Sequence, residues 1–146
     1  MTISETYDFL NSIRHIEAEI IKTQLQHDEL ESCLLPKAIT YDGDHVQTSP
    51  TDPMLAIASQ VIDLEARIRK LKAEKARRIV EVNKAVALLD NEAEQMILLG
   101  FYVGRLPAKK VAALVHYSTS AVYKLKYRAV KHLSEKWIRN ANDHVL

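Results

Sequence analysis

Phe9, Ile13, Ile16, Ile20, Thr23, His27, Leu30 and Leu34 step along the chain by four and three residues without a break. That spacing draws a narrow stripe down one side of an α-helix. A long stripe with a charged outer face must be laid against another helix or a second copy of itself. The pattern predicts a helix over residues 4–35 with Ser4 as its cap. Thr23 and His27 hold positions where an aliphatic side chain packs better, and polar groups at such positions fix register at some cost in stability. His27 is expected as a packed seam residue. The nearest histidine, His15, lies twelve residues away, so no metal ligand set is expected, and no cofactor of any kind.

Pro36 ends this helix. Asp42-Gly43-Asp44 and Thr48-Ser49-Pro50-Thr51 favour turns, so residues 36–52 read as a linker, and Asp42-Gly43 suits a small hairpin between 39–41 and 45–47. A second helix is expected over 53–89, with Asp52 as cap and Pro53 at the first position, where its missing N–H costs nothing. Met54, Ile57, Val61, Leu64, Ile68 and Leu71 continue the stripe, and Ile79, Val82, Val86 and Leu89 resume it after an extra four-residue step across Lys75. The basic run from Arg67 to Arg78 is interleaved with Glu65, Glu74 and Glu81 at helical spacing, which favours a solvated face over a polyanion contact. Residues 1–89 are thus expected to form a long helical hairpin or coiled coil that assembles as a homodimer or higher homo-oligomer.

Only 3 glycines and 4 prolines stand in 146 residues, and the fold class expected is all-α. Cys33 is the only cysteine, which excludes an internal disulfide and is expected as a small buried hydrophobe. No apolar run approaches the eighteen or so residues a membrane span needs, and the chain does not open on a basic then apolar stretch. A cytoplasmic protein with no membrane partner is expected.

The net charge of +1 hides an asymmetry. Seven acidic residues face only Arg14 and Lys22 in residues 1–35, whereas from Arg105 to Arg139 nine basic residues face Glu135 alone. The natural partner of a strongly cationic segment is a polyanion. In that segment the pattern also changes. Met96, Ile97, Leu99 and Tyr102 mark a short helix that ends near Gly104, and Val111, Ala112, Val115, Tyr117, Val122 and Leu125 have the spacing of two short packed helices joined by a tight turn. Residues 90–139 are therefore expected as a helix-turn-helix domain and 140–146 as a flexible tail.

Ser118 is a good cap for the second helix of that motif, the candidate recognition helix. If Val122 and Leu125 point inward, helical geometry turns Thr119, Ser120, Tyr123, Lys124, Tyr127 and Arg128 outward. With Ser118, these six are the candidate contacts to double-stranded DNA, while Lys109, Lys110 and Lys131 flank them as contacts to the phosphate backbone. The alternative for Tyr123 and Tyr127 is core packing, where aromatics at helical spacing usually belong.

From Leu89-Asp90 to Leu133 the chain resembles the DNA-binding C-terminal domain of bacterial sigma factors. Val46-Gln47-Thr48-Ser49-Pro50, then Asp52-Pro53-Met54, a long charged helix and the terminal motif resemble the late-gene transcription regulators of temperate phages of Gram-positive bacteria, the ArpU and RinA type. The resemblance implies an activator of phage late genes, working in the host bacterial cytoplasm and touching host RNA polymerase. The chain departs from the family pattern at Leu106-Pro107, where a polar cap is usual, at Lys110, usually acidic, and at His116, usually glycine. A phage small terminase subunit would also join such a motif to assembly helices. A module acting only on RNA polymerase or a repressor would need an apolar groove in place of a basic surface. Nothing points to an enzyme: no glycine-rich phosphate loop, close carboxylate pair or nucleophile–base arrangement is present.

Overall fold

The computed structural model describes residues 1–34 and 52–144, with side chains to Trp137. The described residues are all-α, with no strand among them. Their helices are α1 (Ile3–Leu34), α2 (Asp52–Val86), α3 (Glu92–Leu98), a π-helical continuation of α3 (Leu99–Val103), α4 (Ala108–Val115) and α5 (Thr119–His144). The hairpin expected at 39–47 and nearly all of the expected linker lie outside the described residues. Among the described residues, no helix is long and apolar enough to cross a membrane.

The local chemistry of the helix ends differs in part from the expectation. Thr2, not Ser4, caps α1: Glu5 N donates to Thr2 Oγ1 at 3.1 Å, and Thr2 N donates back to the Glu5 carboxylate at 3.4 Å, the reciprocal pairing that satisfies two otherwise free N–H groups. The α2 helix stops at Val86, three residues early, because Leu88 N and Leu89 N turn back to Ala85 O and Val86 O, each at 3.0 Å. The α5 helix runs on to His144, through most of the expected tail. Cys33 is exposed, not buried, since it stands off the stripe that α1 covers. Met54 is exposed as well.

Two compact units divide the chain, one of residues 1–15 and 75–146, the other of residues 16–74. The division does not fall at 89/90, where the sequence changes character. Its cause is a shared apolar core in the first unit. Phe9, Leu10 and Ile13 from α1, Val82, Ala85 and Val86 from α2, and Ala129, Val130 and Leu133 from α5 are buried together with Leu89, Leu98 and Tyr102. Phe9 and Trp137 meet edge to face, ring centroids 4.9 Å apart, a geometry aromatic quadrupoles favour.

In the second unit, the remainder of α1 lies against the first part of α2. Val61, Ile68, Thr23 and His27 are buried there. Thr23 satisfies its hydroxyl on its own helix, donating to Glu19 O at 2.7 Å. The Arg67 guanidinium reaches Glu19 at 3.5 Å, and His27 Nε2 meets Glu65 Oε1 at 3.0 Å. Hydrogen bonds to Asp28 and then Glu65 hold the His27 imidazole pKa above its usual value. Among the described residues, no buried side-chain nitrogen or oxygen lacks a partner, as native interiors require.

Two outcomes check this packing. Leu133→Ala, at a side chain with no exposure, lowers unfolding free energy by about 2–5 kcal/mol in denaturant titration, whereas Leu25→Ala, 66% exposed, changes it by less than about 0.5 kcal/mol. Burial, with the nearby Tyr7, pushes the Tyr102 phenol up to about 12. A folded pKa above the unfolded one means stability that is full below about pH 10 and is lost as pH rises toward the folded value. Tyrosinate absorbance therefore shows a late step that Tyr102→Phe removes, with unfolding setting in across the same range.

Candidate nucleic-acid interface

The helix-turn-helix framework is built on a second apolar cluster in the first unit, of Ile97, Val111, Ala112 and Val122, with Phe101, Leu106, Val115 and Leu125 packed around it. The α3 helix is started by Asn91, whose side chain accepts from Glu94 N at 3.2 Å. A π turn then widens the helix, with Gly104 N donating to Leu99 O at 2.8 Å. Gly100 sits against α4 so closely that a Cβ there would stand 3.1 Å from Val111 Cγ2, tighter than most packed contacts. The left-handed residue that ends the turn is Arg105 (φ 55°) and not Gly104. Its reversal lets Leu106 N close on Gly100 O at 2.9 Å and brings Leu106 back onto the cluster.

Pro107 stands at the cap position of α4 without a side-chain bond. Its carbonyl does the work instead, accepting from Lys110 N at 3.0 Å and Val111 N at 3.1 Å, and its fixed φ suits a helix entry. His116 takes the left-handed conformation, φ 61° and ψ 37°, at the position where glycine is usual. Its N–H and that of Tyr117, the latter at 3.2 Å, both close on Ala112 O. Ser118 then caps α5 as expected, accepting from Ala121 N at 3.2 Å through Oγ. Tyr117 lies exposed in the turn and is no part of the packed framework.

Along α5 the buried side chains Val122, Ala129, Val130 and Leu133 share one face. Ser118, Thr119, Ser120, Tyr123, Lys124, Tyr127, Arg128 and Lys131 are exposed, and so are Lys109 and Lys110 on α4. Tyr123 and Tyr127, 53% and 54% exposed, are therefore surface residues and not core. Tyr123 still rests one side on Phe101, ring centroids 6.1 Å apart, which steadies it without covering it. The arrangement offers hydroxyls at the start of α5, two open phenols in the middle, and a run of cations beside them.

Not every cation of the basic segment joins this face. Lys126 is half-buried, its Nζ 4.7 Å from the Phe101 ring centroid and 5.3 Å from that of Tyr102. Burial, then the nearby Arg14, lowers its pKa, so this cation spends its charge on aromatic faces. An anchor that sequence reasoning missed joins α3 to α5. Glu94, 2% exposed, holds His132 Nδ1 at 2.9 Å, and Lys136 reaches Asp90 at 2.8 Å. Arg128 borders the polar groove of about 370 Å³ beside these groups. Compared with protein-family models, curated proteins and solved structures, the chain finds no match.

The turn can be tested directly. Left-handed backbone costs an ordinary L-residue about 1–2 kcal/mol, so His116→Gly keeps or raises the thermal midpoint, while His116→Val, β-branched at a positive φ, lowers unfolding free energy by about that amount. Equal losses in both variants would mean that the imidazole, and not the backbone, matters at this position.

Proposed function

We propose that this protein is a sequence-specific, DNA-binding transcription regulator whose α5 enters the major groove of double-stranded DNA. The observation that carries the reading is the single exposed face of Tyr123, Lys124, Tyr127, Arg128 and Lys131, opposite the buried face of the same helix and directly after a capped tight turn. A major groove admits one α-helix, and its base edges are read by side chains on the leading half of that helix. Arg128 and Lys124 suit guanine or phosphate, the hydroxyls of Ser118, Thr119 and Ser120 suit either, and the phenols suit phosphate oxygens or thymine methyls. Lys109 and Lys110 supply the sequence-independent, salt-sensitive share of affinity.

The resemblance of Leu89–Leu133 to sigma-factor DNA-binding domains, and of the longer arrangement to the ArpU and RinA type, supports an activator of phage late genes in the host bacterial cytoplasm. A homodimer reading two half-sites, with host RNA polymerase as a second partner, belongs to the same reading.

Mobility shift against tiled fragments around the protein's own gene, at about 150 mM salt with nonspecific competitor, tests the proposal, because nonspecific binding is weak there. One shifted fragment upstream of a promoter is expected. On that fragment Arg128→Ala weakens binding roughly 5- to 150-fold, the worth of a good base contact, and leaves the thermal midpoint unchanged. Lys109→Ala with Lys110→Ala weakens all fragments alike and flattens the salt dependence by about one unit per lost phosphate contact. No shift with any fragment contradicts the reading, and a shift confined to packaging-gene sequence replaces regulation with terminase recognition.

A further inference from the structure

The α2 helix carries a second seam that its packing against α1 leaves unused. Val61 and Ile68 are buried in the second unit. Roughly a third of a turn round the same helix, Leu55, Ser59, Ile62, Ala66, Arg69 and Ala73 step by four and three residues, and all six are exposed. Ile62 keeps 63% exposure and Leu55 54%. The spacing is that of a coiled-coil heptad, and Ala76 and Val80 continue it in the sequence. The edges of this seam are charged in a fixed order. Asp63 and Lys70, seven residues apart, line one edge, and Glu65 and Lys72, also seven apart, line the other. Asp63, Lys70 and Lys72 are exposed, and the Glu65 side chain, which meets His27 through Oε1, is still 45% exposed.

We infer that this face of α2 binds a second copy of the chain, the two α2 helices running antiparallel and centred between Ala66 and Arg69. The occupant follows from the charges, because the face complements itself only when one copy is reversed. Reversal sets Asp63 of one copy beside Lys70 of the other and Glu65 beside Lys72, and symmetry forms each pair twice. The apolar layers fit the same register. Ile62 fills the space that Ala73 of the second copy leaves, and Arg69 lays its alkyl stem over Ala66 while its guanidinium runs out to the acidic edge. A parallel pair would instead stack Arg69 on Arg69 in one layer and set Ala66 and Ala73 each against itself, which adds repulsion and leaves gaps. The inference rests on the proposed reading for nothing but the dimer, to which it gives a surface and a polarity.

The test is sedimentation of the full chain, without DNA, over a range of concentrations. The parent chain sediments as a dimer. Ile62→Asp, at an exposed position that the folded chain does not need, weakens association roughly 100-fold or more, since each dimer would bury two unpaired carboxylates, and leaves helix content in circular dichroism unchanged. Asp63→Lys and Lys70→Asp each weaken it about 10-fold or more, because two attractions become two repulsions. Mixing these two variants restores association, as each then meets the opposite charge on the other. In a parallel pair Asp63 would lie beside Ala58, so unchanged association in Asp63→Lys overturns the antiparallel register. A monomeric parent chain overturns the interface, and so does parental affinity in Ile62→Asp, which places the contact elsewhere. With no DNA present, a failure here and a failure of α5 to read DNA are separate results.

Discussion

The apolar cluster that joins the start of α1 and the end of α2 to the inner face of α5 decides how the first unit is put together. Leu10, Ile13, Val82, Val86, Val130 and Leu133 each keep 1% exposure or less, and burying an aliphatic side chain of this size contributes about 1.5–3 kcal/mol. A 26-residue helix has too much length to be fixed by the eight residues of α4 alone. Its first turns are held by the smaller cluster around Val111 and Val122, and its middle by the ends of the two long helices. The outward face of α5 exists because these two clusters leave it only one way to turn.

That shared core has a functional consequence. The long helices are not merely appended to the motif, since their ends complete it: without Phe9, Leu10 and Ile13, the Leu133 side of α5 would lie open. A change in the first turns of α1 is thus a change beneath the proposed reading helix. The Glu94–His132 and Asp90–Lys136 pairs reinforce the same junction from the polar side. Glu94 is the more constrained, being buried where an unpaired carboxylate would be costly.

Periodicity made much of this legible. The inward assignment of Val122 and Leu125 was enough to place six α5 side chains on one outer face, and the step pattern of α1 marked Phe9, Ile13, Thr23 and His27, all buried. Thr6 and Leu10 escaped it, because the first turns of α1 are covered on more than one side and a single stripe describes only one. Ser4 and Thr2 carry the same capping chemistry, and only the reciprocal bond with Glu5 separates them. The π turn at 99–103 leaves no residue pattern, although His116 in place of glycine did point to a left-handed turn. Contacts such as Glu94 with His132 and His27 with Glu65, each 38 positions apart, depend on a register that no local spacing contains.

Amide chemical shifts of the isotopically labelled protein, followed as its shifted DNA fragment is added, test most directly whether the outer face of α5 reads DNA. If it does, perturbations concentrate at the turn His116–Ser118, on Thr119–Arg128 and Lys131, and near Lys109 and Lys110, with residues 16–34 and 52–74 silent. Perturbations confined to those long-helix segments, with α5 unaffected, would contradict it.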